Sequence, residues 1–435
     1  MKNSEIEEYL LDVQKKELPK LVERELKTDE SKKIKSIIGP RRAGKTYFMY
    51  QKIKELLSSG VRKENIIYLN FEDPRLIEVN FKDIREIIKL HWQLWPSSTK
   101  GNLYIFVDEP QNIKNWEIAL RALHDEGFNI FLTGSSSKLL SKEIATSLRG
   151  RTLSYLLLPS SFKEFLRMKS FNSDIIRQSS REKSILLSLL SEYLEFGGFP
   201  EVVLEGNKEN KLKIINEYFD LIVYRDIVER YKIKNIQLIK WLIKSLITSF
   251  SKEFSTHKVY LILKSQGIRL SKNTLYSYLS MLEDSFFIFL VQKFSYSVRK
   301  KEFSFNKVYL CDNGFAKLTE STADKGKKME NSVFLELMRR KKSLTEIYYW
   351  KNTQKEEVDF VIKNANKIEQ LIQVCYDIAD IDVRKREIRA LIKASKELKC
   401  KNLLVVTKDY EAEEKIKSKK VKFVPLWKWL LEINF

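Results

Sequence analysis

The sequence predicts an α/β fold, in which a parallel sheet is covered by helices on both faces. Over the first 160 residues, apolar runs of strand length alternate with amphipathic segments of helix length. Glycines stand at several of the junctions between them. Strands that are buried on both faces read as continuous apolar runs, so this pattern favours parallel strands joined by crossover helices.

The predicted elements follow one another in a regular order. Residues 4–30 are predicted to form a charged helix, and the strand after it ends at Gly39. Gly60 and Gly127 are expected to close two later helices, because glycine readily adopts the left-handed backbone found after a helix. Further strands are predicted at 65–73, 102–110, 128–136 and 152–159. The carboxyl ends of such strands share one edge of the sheet, where ligands bind.

Residues 39–46 read GPRRAGKT and match the phosphate-binding pattern GxxxxGK[ST] at every fixed position. Glycines let the backbone curl so that N–H groups point at phosphate oxygens, and the helix that follows adds its positive end. Lys45 is expected to reach the β- and γ-phosphates of ATP, and the Thr46 hydroxyl to ligate Mg²⁺. The predicted ATP-binding residues are Gly39, Pro40, Arg41, Arg42, Ala43, Gly44, Lys45 and Thr46.

Asp108 and Glu109 follow the apolar strand NLYIFV. A carboxylate at the end of that strand can hold Mg²⁺, and a second one can orient the water that attacks the γ-phosphate. Because the pair accompanies a phosphate-binding loop, we interpret it as catalytic rather than as two solvated acids in a loop. Thr46 and Asp108 are the predicted metal-site residues.

Two further groups of residues are candidates for contacting the nucleotide: hydroxyl groups that could sense the γ-phosphate, and arginines that could act as a finger. Thr133, Ser135 and Ser136 end the next strand, where a hydroxyl can contact the nucleotide, although serines after a strand are also ordinary turn residues. Arg149 and Arg151 precede the fifth strand. Either one can act as an arginine finger, in the same chain or from a neighbouring subunit, or be surface charge. A finger acting between subunits requires a homo-oligomer.

Three domains are predicted after the ATP-binding domain at residues 1–160. Residues 161–235 are predicted to be a helical lid or linker. Residues 236–320 show three helices followed by two strands, the order of a winged helix-turn-helix. Residues 321–435 alternate again between helices and strands and are predicted to be a second α/β domain.

DNA is a candidate partner of the predicted winged helix. Ser271 is a suitable N-cap for its recognition helix, which would place Lys272 and Asn273 towards a groove. Basic residues at the predicted wing tip suit phosphate contacts; they are Arg299, Lys300 and Lys301. Winged helices also dock proteins, so the pattern leaves a protein partner open.

The composition indicates which partners the protein could bind and in which cellular compartment it is expected. The formal net charge is +21, from 79 Lys and Arg against 58 Asp and Glu, which attracts polyanions or reflects a solvated basic surface. The three cysteines are far apart and form no CxxC pair, which suits a reducing cytosol. No apolar run is long enough to cross a membrane, so a cytoplasmic protein is expected.

The motifs GPRRAGKT, LNFEDPRL, FVDEPQNIKNWE, FLTGSSSKLLS and LRGRT resemble prokaryotic AAA-type ATPases that carry a C-terminal domain of unknown function. The later phrases FGGFPEVV, YRDIVERY and EVDFVI…IQVCYD resemble that second part. The resemblance implies a P-loop NTPase fold of the AAA type, with a winged helix before a restriction-endonuclease-like domain. It implies Asp108 and Glu109 as the Walker B pair, Ser135 or a neighbour as the sensor, and Arg149 or Arg151 as the finger.

The resemblance also implies where a nuclease site would lie. Glu330, Glu357 and Asp359 can supply acids, but the Glu-x-Lys of such nucleases reads Gln373-Val-Cys375 here. A neutral amide is a weak Mg²⁺ ligand, and a thiol cannot replace an ammonium beside a phosphate. The C-terminal domain is therefore expected to be catalytically inactive.

The resulting functional prediction is an ATPase that couples its nucleotide state to binding or remodelling DNA or a nucleoprotein. The alternative is a nucleotide-dependent switch or scaffold for a protein partner, with slow turnover and no nucleic-acid substrate.

Overall fold

The computed structural model describes residues 3–98, 103–134, 148, 150–172, 180–268, 270–297, 305–319 and 324–431. These residues form two compact units. The first comprises the described residues up to Leu158 together with Asp284–Phe286, and the second comprises Pro159–Glu283 and the described residues from Phe287 onwards. The described residues of the three domains predicted after residue 160 fall within the second unit, except Asp284–Phe286 of the middle domain.

The first unit is an α/β sandwich built on a parallel sheet. Its helices are α1 (Asn3–Lys15), α2 (Lys45–Ser58), α3 (Asp83–Leu94) and α4 (Trp116–Asp125). Its strands are β1 (Ile34–Ile38), β2 (Ile66–Asn70), β3 (Tyr104–Asp108), β4 (Asn129–Gly134) and β5 (Thr152–Leu156). Among the described residues the strand order is β2-β3-β4-β1-β5, and every neighbouring pair is parallel.

The predicted parallel sheet is confirmed, and its strands are buried for the expected reason. Every residue of β1 is buried, and so is nearly every residue of β2, β3 and β4. The order places β4 between β1 and β3, so the carboxyl ends of these three strands lie side by side at one edge.

The predicted helix over residues 4–30 is wrong beyond its first half. Helix α1 ends at Lys15, and residues 16–31 have no regular secondary structure. Pro19 accounts for the stop at Lys15, because a proline has no N–H to donate to the carbonyl four residues before it and its ring clashes with that carbonyl. The irregular segment is nevertheless anchored, since Arg24 is buried.

The second unit begins with a helical part. Its helices are α5 (Phe162–Met168), α6 (Ser180–Phe196), α7 (Pro200–Leu204) and α8 (Lys208–Leu221), and α8 continues as a π-helix over Ile222–Glu229. Next come α9 (Ile236–Thr248), β6 (Lys252–Phe254), α10 (Thr256–Ser265), α11 (Lys272–Asp284), β7 (Ile288–Val291) and β8 (Asn306–Leu310). Within the described ranges, β6, β8 and β7 form a three-stranded antiparallel sheet in that order.

The rest of the second unit contains a mixed sheet. Its elements are α12 (Lys325–Arg340), β9 (Thr345–Lys351), β10 (Glu357–Asn364), β11 (Lys367–Cys375), α13 (Ile381–Glu397), β12 (Leu403–Thr407), β13 (Ala412–Ile416), β14 (Lys419–Pro425) and α14 (Leu426–Leu431). Over the described residues the strand order is β13-β14-β12-β11-β10-β9. Strands β6, β13 and β14 and helix α14 were not predicted from the sequence.

A buried carboxyl group connects two distant segments of the second unit. Gly198 N donates to Asp312 Oδ2 at 2.7 Å, and Gly314 N donates to Asp312 Oδ1 at 2.8 Å. A side chain at Gly197 would collide with this carboxyl, because a Cβ there would lie 1.6 Å from Asp312 Oδ1. Burial raises the pKa of Asp312 to about 7, although both backbone donors oppose the rise.

The Asp312 carboxyl is expected to make stability depend on pH in the neutral range. A carboxyl with a raised pKa in the folded state stabilises fully below its unfolded pKa, and that contribution falls as pH rises through 7. We expect the free energy of unfolding of the wild type, relative to Asp312→Asn, to drop by about 2–3 kcal/mol between about pH 5 and 8. Urea titrations at several pH values measure this difference. Parallel pH profiles of the two proteins would contradict it.

Candidate functional site

The loop between β1 and α2 requires glycine at both of its fixed glycine positions. A Cβ at Gly39 would lie 2.0 Å from the carbonyl oxygen of Leu157, because the chain after β5 passes against the start of the loop. Gly44 precedes α2 with φ at 93°, a backbone conformation that side chains disfavour. The loop therefore holds its curled shape only with the residues that the motif specifies.

The two polar side chains that close the motif are held in place. Lys45 is buried, and its Nζ donates to the carbonyl oxygens of Gly39 at 3.1 Å and Pro40 at 2.9 Å. The Thr46 hydroxyl donates to Asp108 Oδ2 at 2.7 Å. The phosphate-binding loop and the end of β3 thus meet in one site, as the sequence predicts.

Asp108 is held by three hydroxyl groups. Besides Thr46, the Tyr68 hydroxyl donates to Oδ2 at 2.8 Å, and the Thr133 hydroxyl donates to Oδ1. Asp108 is only 4% exposed. Mg²⁺ prefers hard oxygen donors, and the Asp108 carboxylate and the Thr46 hydroxyl supply two that already lie within hydrogen-bonding distance. The donor set therefore fits this ion.

Glu109 follows Asp108 in the left-handed region, with φ at 51°. Its backbone N donates to the Thr133 hydroxyl at 3.3 Å, and its carboxylate accepts a hydrogen bond from the Gln111 side chain. Burial raises the pKa of Glu109, and the nearby Lys45 ammonium opposes the rise. This environment makes Glu109 a stronger base than an exposed glutamate.

Comparisons with known proteins agree with this geometry. A family profile described as an AAA domain matches residues 31–166, and profiles of two domains of unknown function match residues 187–324 and 325–429. An uncharacterized protein of Methanocaldococcus jannaschii is 44% identical over 405 residues, which span 92% of this chain and 88% of that protein. The chain belongs to this family of AAA-domain proteins.

A second relative of the family comes from a bacterium. An uncharacterized protein of Haemophilus influenzae is 33% identical over 353 residues, which cover 80% of this chain and 83% of that protein. Among solved structures, Cdc6p from Pyrobaculum aerophilum overlaps with a TM-score of 0.26 at 13% identity, over 67% of this chain and 87% of that one. AMPPCP-bound DnaA from Aquifex aeolicus overlaps with a TM-score of 0.24 at 14% identity, over 60% of this chain and 83% of that one. Neither overlap is close enough to bear on function.

The three sensor candidates and the two finger candidates are only partly within the described residues of this AAA-domain protein. Thr133 contacts both Asp108 and Glu109, whereas Ser135, Ser136 and Arg149 lie outside the described residues. Arg151 lies before β5, at the sheet edge where the parallel strands begin. Its guanidinium bonds to Asp125 at 2.6 and 3.0 Å.

The position of Arg151 excludes a role at its own phosphate-binding loop. The loop follows the far end of β1, so the five residues of that strand separate it from Arg151 by about 15 Å. The expectation of a finger within the same chain is therefore wrong for Arg151. A finger that reaches a neighbouring subunit stays a prediction.

The predicted DNA-contacting residues are also partly described. Lys272 and Asn273 are exposed at the start of α11, and the Ser271 hydroxyl caps this helix by accepting from Thr274 N at 3.1 Å. The wing residues Arg299, Lys300 and Lys301 lie outside the described residues. Among the described residues, no helix combines the length and the apolar character needed to cross a membrane.

Arg24 belongs to the site, although the sequence analysis did not single it out. It is 5% exposed, and its guanidinium donates to the carbonyl oxygens of Ala43 at 2.7 Å and Leu158 at 2.6 Å. Its backbone N also donates to Gln51 Oε1 at 2.8 Å. Arg24 thus ties the phosphate-binding loop to helix α2 and to the chain beyond β5. An arginine in an irregular charged segment carries no signal that would reveal this role.

Replacing Arg24 by methionine is expected to loosen the loop. The change leaves the buried carbonyl groups of Ala43 and Leu158 without their guanidinium donor. The free energy of unfolding of the first unit should therefore fall by about 3 kcal/mol. ATP affinity should fall about tenfold, since the loop loses a support. Denaturant titration and fluorescent-nucleotide binding measure the two effects, with exposed Lys54→Met on α2 as the control. Unchanged stability and affinity would show that Arg24 does not support the loop.

Proposed function

We propose that this protein binds ATP with Mg²⁺ at residues 39–46 and hydrolyses it. The carrying observation is the 2.7 Å hydrogen bond from Thr46 to Asp108, which joins a complete phosphate-binding loop to an acidic pair. When bound, Mg²⁺ would neutralise charge on the β- and γ-phosphates. Thr46 and Asp108 are the residues that would hold it.

The chain's own groups divide the work between binding and proton transfer. Lys45 brings an ammonium group to the loop, where it stabilises phosphate charge, and the curled backbone supplies N–H donors. Glu109 accepts the proton of the attacking water, because its buried carboxylate is more basic than an exposed one. Thr133 contacts both acids and so positions them relative to each other.

We further propose that the nucleotide state controls binding of DNA or a nucleoprotein through the second unit. Helices α9, α10 and α11 with the sheet β6-β8-β7 follow the order of a winged helix. Lys272 and Asn273 are exposed at the start of α11, and the net charge of +21 favours a polyanion. These features support DNA as the partner.

Steady-state ATPase rates with and without DNA at low salt test this proposal. Duplex or single-stranded DNA should raise kcat in the wild type, and the Lys272→Ala/Asn273→Ala variant should lose most of that stimulation while it keeps the basal rate. Glu109→Gln supplies the background rate. A wild-type rate that DNA leaves unchanged, together with undetectable binding, would end the nucleic-acid part of the proposal.

One observation favours the alternative of a slow nucleotide-dependent switch for a protein partner. The Glu109 carboxylate accepts a hydrogen bond from Gln111, which holds it in a fixed position. If this bond restrains Glu109, basal turnover is slow until a partner releases it. Gln111→Ala should then raise the basal rate severalfold without any partner. A lower rate in that variant would instead make Gln111 a supporting residue.

Arg151 is expected to act on the nucleotide of a neighbouring subunit. Arg151→Ala should lower kcat at least about tenfold, because a finger stabilises charge in the transition state. In the wild type, specific activity should rise with protein concentration. Arg85→Ala is the matched control, since Arg85 forms a similar surface ion pair with Glu126. Equal turnover in the two variants would remove this role.

A further inference from the structure

Lys307 is a fully buried cation among three carboxylates. It lies in β8 and is 1% exposed. Its Nζ lies 2.9 Å from Glu330 Oε1, 2.6 Å from Glu357 Oε1 and 2.9 Å from Asp359 Oδ1. The acids come from helix α12 and strand β10, so three elements of the second unit converge on one ammonium group.

The three carboxylates are fixed by other partners as well. The Tyr309 hydroxyl donates to Glu330 Oε1 at 2.7 Å, and Val374 N donates to Asp359 Oδ2 at 2.9 Å. Lys351 Nζ lies 3.0 Å from Glu357 Oε2. Burial would lower the pKa of Lys307, but the carboxylates outweigh it and hold the pKa well above its ordinary value. Lys307 is therefore charged at neutral pH.

A fourth oxygen lies on the neighbouring strand. Ile372 of β11 is opposite Phe360 of β10, which places Gln373 beside Asp359. The Gln373 side chain is 3% exposed, and its Nε2 donates to Glu387 Oε2 at 2.6 Å. Its Oε1 is buried and has no hydrogen-bond partner. A buried carbonyl oxygen without a hydrogen-bond partner lowers the stability of the fold, and a cation bound beside it would supply the missing partner.

We propose that the Lys307 ammonium occupies a divalent-cation site formed by Glu330, Glu357 and Asp359, and thereby keeps that site closed to metal. The oxygen atoms surround Nζ much as carboxylates surround a hard cation, at distances slightly longer than the about 2.3–2.6 Å of Ca²⁺ coordination. Within the described chain, no group of three His, Cys, Asp or Glu is arranged to hold a metal ion as it stands. The cluster belongs to the second unit and shares no residue with the proposed ATP site in the first unit.

The closed site bears on what the second unit can do. A carboxylate cluster without its metal cannot activate water for phosphodiester cleavage. Lys307 instead ties β8 to α12 and β10 through charge-assisted hydrogen bonds. On this proposal the Glu330, Glu357 and Asp359 cluster does not support phosphodiester cleavage while Lys307 occupies it.

Removal of the lysine tests the proposal on the full-length, nucleotide-free chain. Calorimetric titration of the wild type with Ca²⁺ should show no binding that depends on Asp359. Asp359→Asn should therefore give the same titration as the wild type. Lys307→Ala leaves the carboxylates without their counter-ion, so it should bind Ca²⁺ at least tenfold more tightly than both the wild type and Lys307→Ala/Asp359→Asn. Wild-type binding that depends on Asp359, or no gain in Lys307→Ala, would overturn the inference.

A second measurement tests the proposal even where Lys307→Ala folds poorly. If Lys307→Ala unfolds in the absence of metal, millimolar Ca²⁺ should raise its melting temperature or its refolding yield. The same addition should do neither for Lys307→Ala/Asp359→Asn, nor for Lys307→Met, whose side chain fills the space that a metal would need. Equal responses of the three proteins would overturn the proposal.

Discussion

Glu109→Gln is expected to lower kcat at least about a hundredfold while it leaves ATP affinity close to that of the wild type. The amide keeps the shape of the side chain but cannot accept the proton of the attacking water. Binding is expected to persist because the proposed phosphate contact of Lys45 and the proposed Mg²⁺ contact of Thr46 do not involve Glu109. Single-turnover hydrolysis and equilibrium nucleotide binding separate the two effects. Exposed Glu72→Gln, beyond β2, is the control.

The pH profile of the wild type offers a second test of Glu109. Catalysis requires the carboxylate form, and burial raises its pKa, so kcat should fall with decreasing pH at a midpoint above that of an ordinary glutamate. This acid limb should be missing in Glu109→Gln. A variant that turns over like the wild type, or keeps the limb, would exclude Glu109 as the base.

Lys45→Ala should weaken ATP binding at least about a hundredfold. The change removes the ammonium group proposed to contact phosphate, and also the hydrogen bonds to the carbonyl oxygens of Gly39 and Pro40 that brace the loop. Titration with a fluorescent ATP analogue measures the loss directly. Lys54→Ala, an exposed change on the same helix, should bind like the wild type. Unchanged affinity in Lys45→Ala would place the nucleotide elsewhere.

The core of the site was predictable because local sequence specifies it. The phosphate-binding loop needs its glycines, lysine and threonine at fixed spacing, and the structure shows why at Gly39, where a Cβ would meet Leu157. The meeting of Thr46 and Asp108 followed from parallel strands that end at one edge. Continuous apolar runs identified β1 to β4 for the same reason, since these strands are almost wholly buried, whereas β5 at the edge of the sheet is only partly buried.

The unpredicted parts depend on contacts between residues far apart in sequence. Arg24 and Tyr68 support the site through partners 19 and 40 residues away, and neither belongs to a motif. Lys307 interrupts an apolar strand, but only the fold brings it to acids that are distant in sequence. Strands β13 and β14 are rich in charged residues, with three in a row in β13, so no continuous apolar run marks them in the sequence.

The order of strands along the chain has a consequence for biosynthesis. Strands β1 to β5 are complete by residue 156, so the first sheet can assemble while the ribosome is still translating the rest. The second unit cannot, because β14 pairs with both β12 and β13 and is among the last segments to emerge. Until it does, the apolar edge of β12 lacks its neighbour and is open to wrong pairing. Truncation before residue 419 should therefore yield aggregates rather than a shortened native chain.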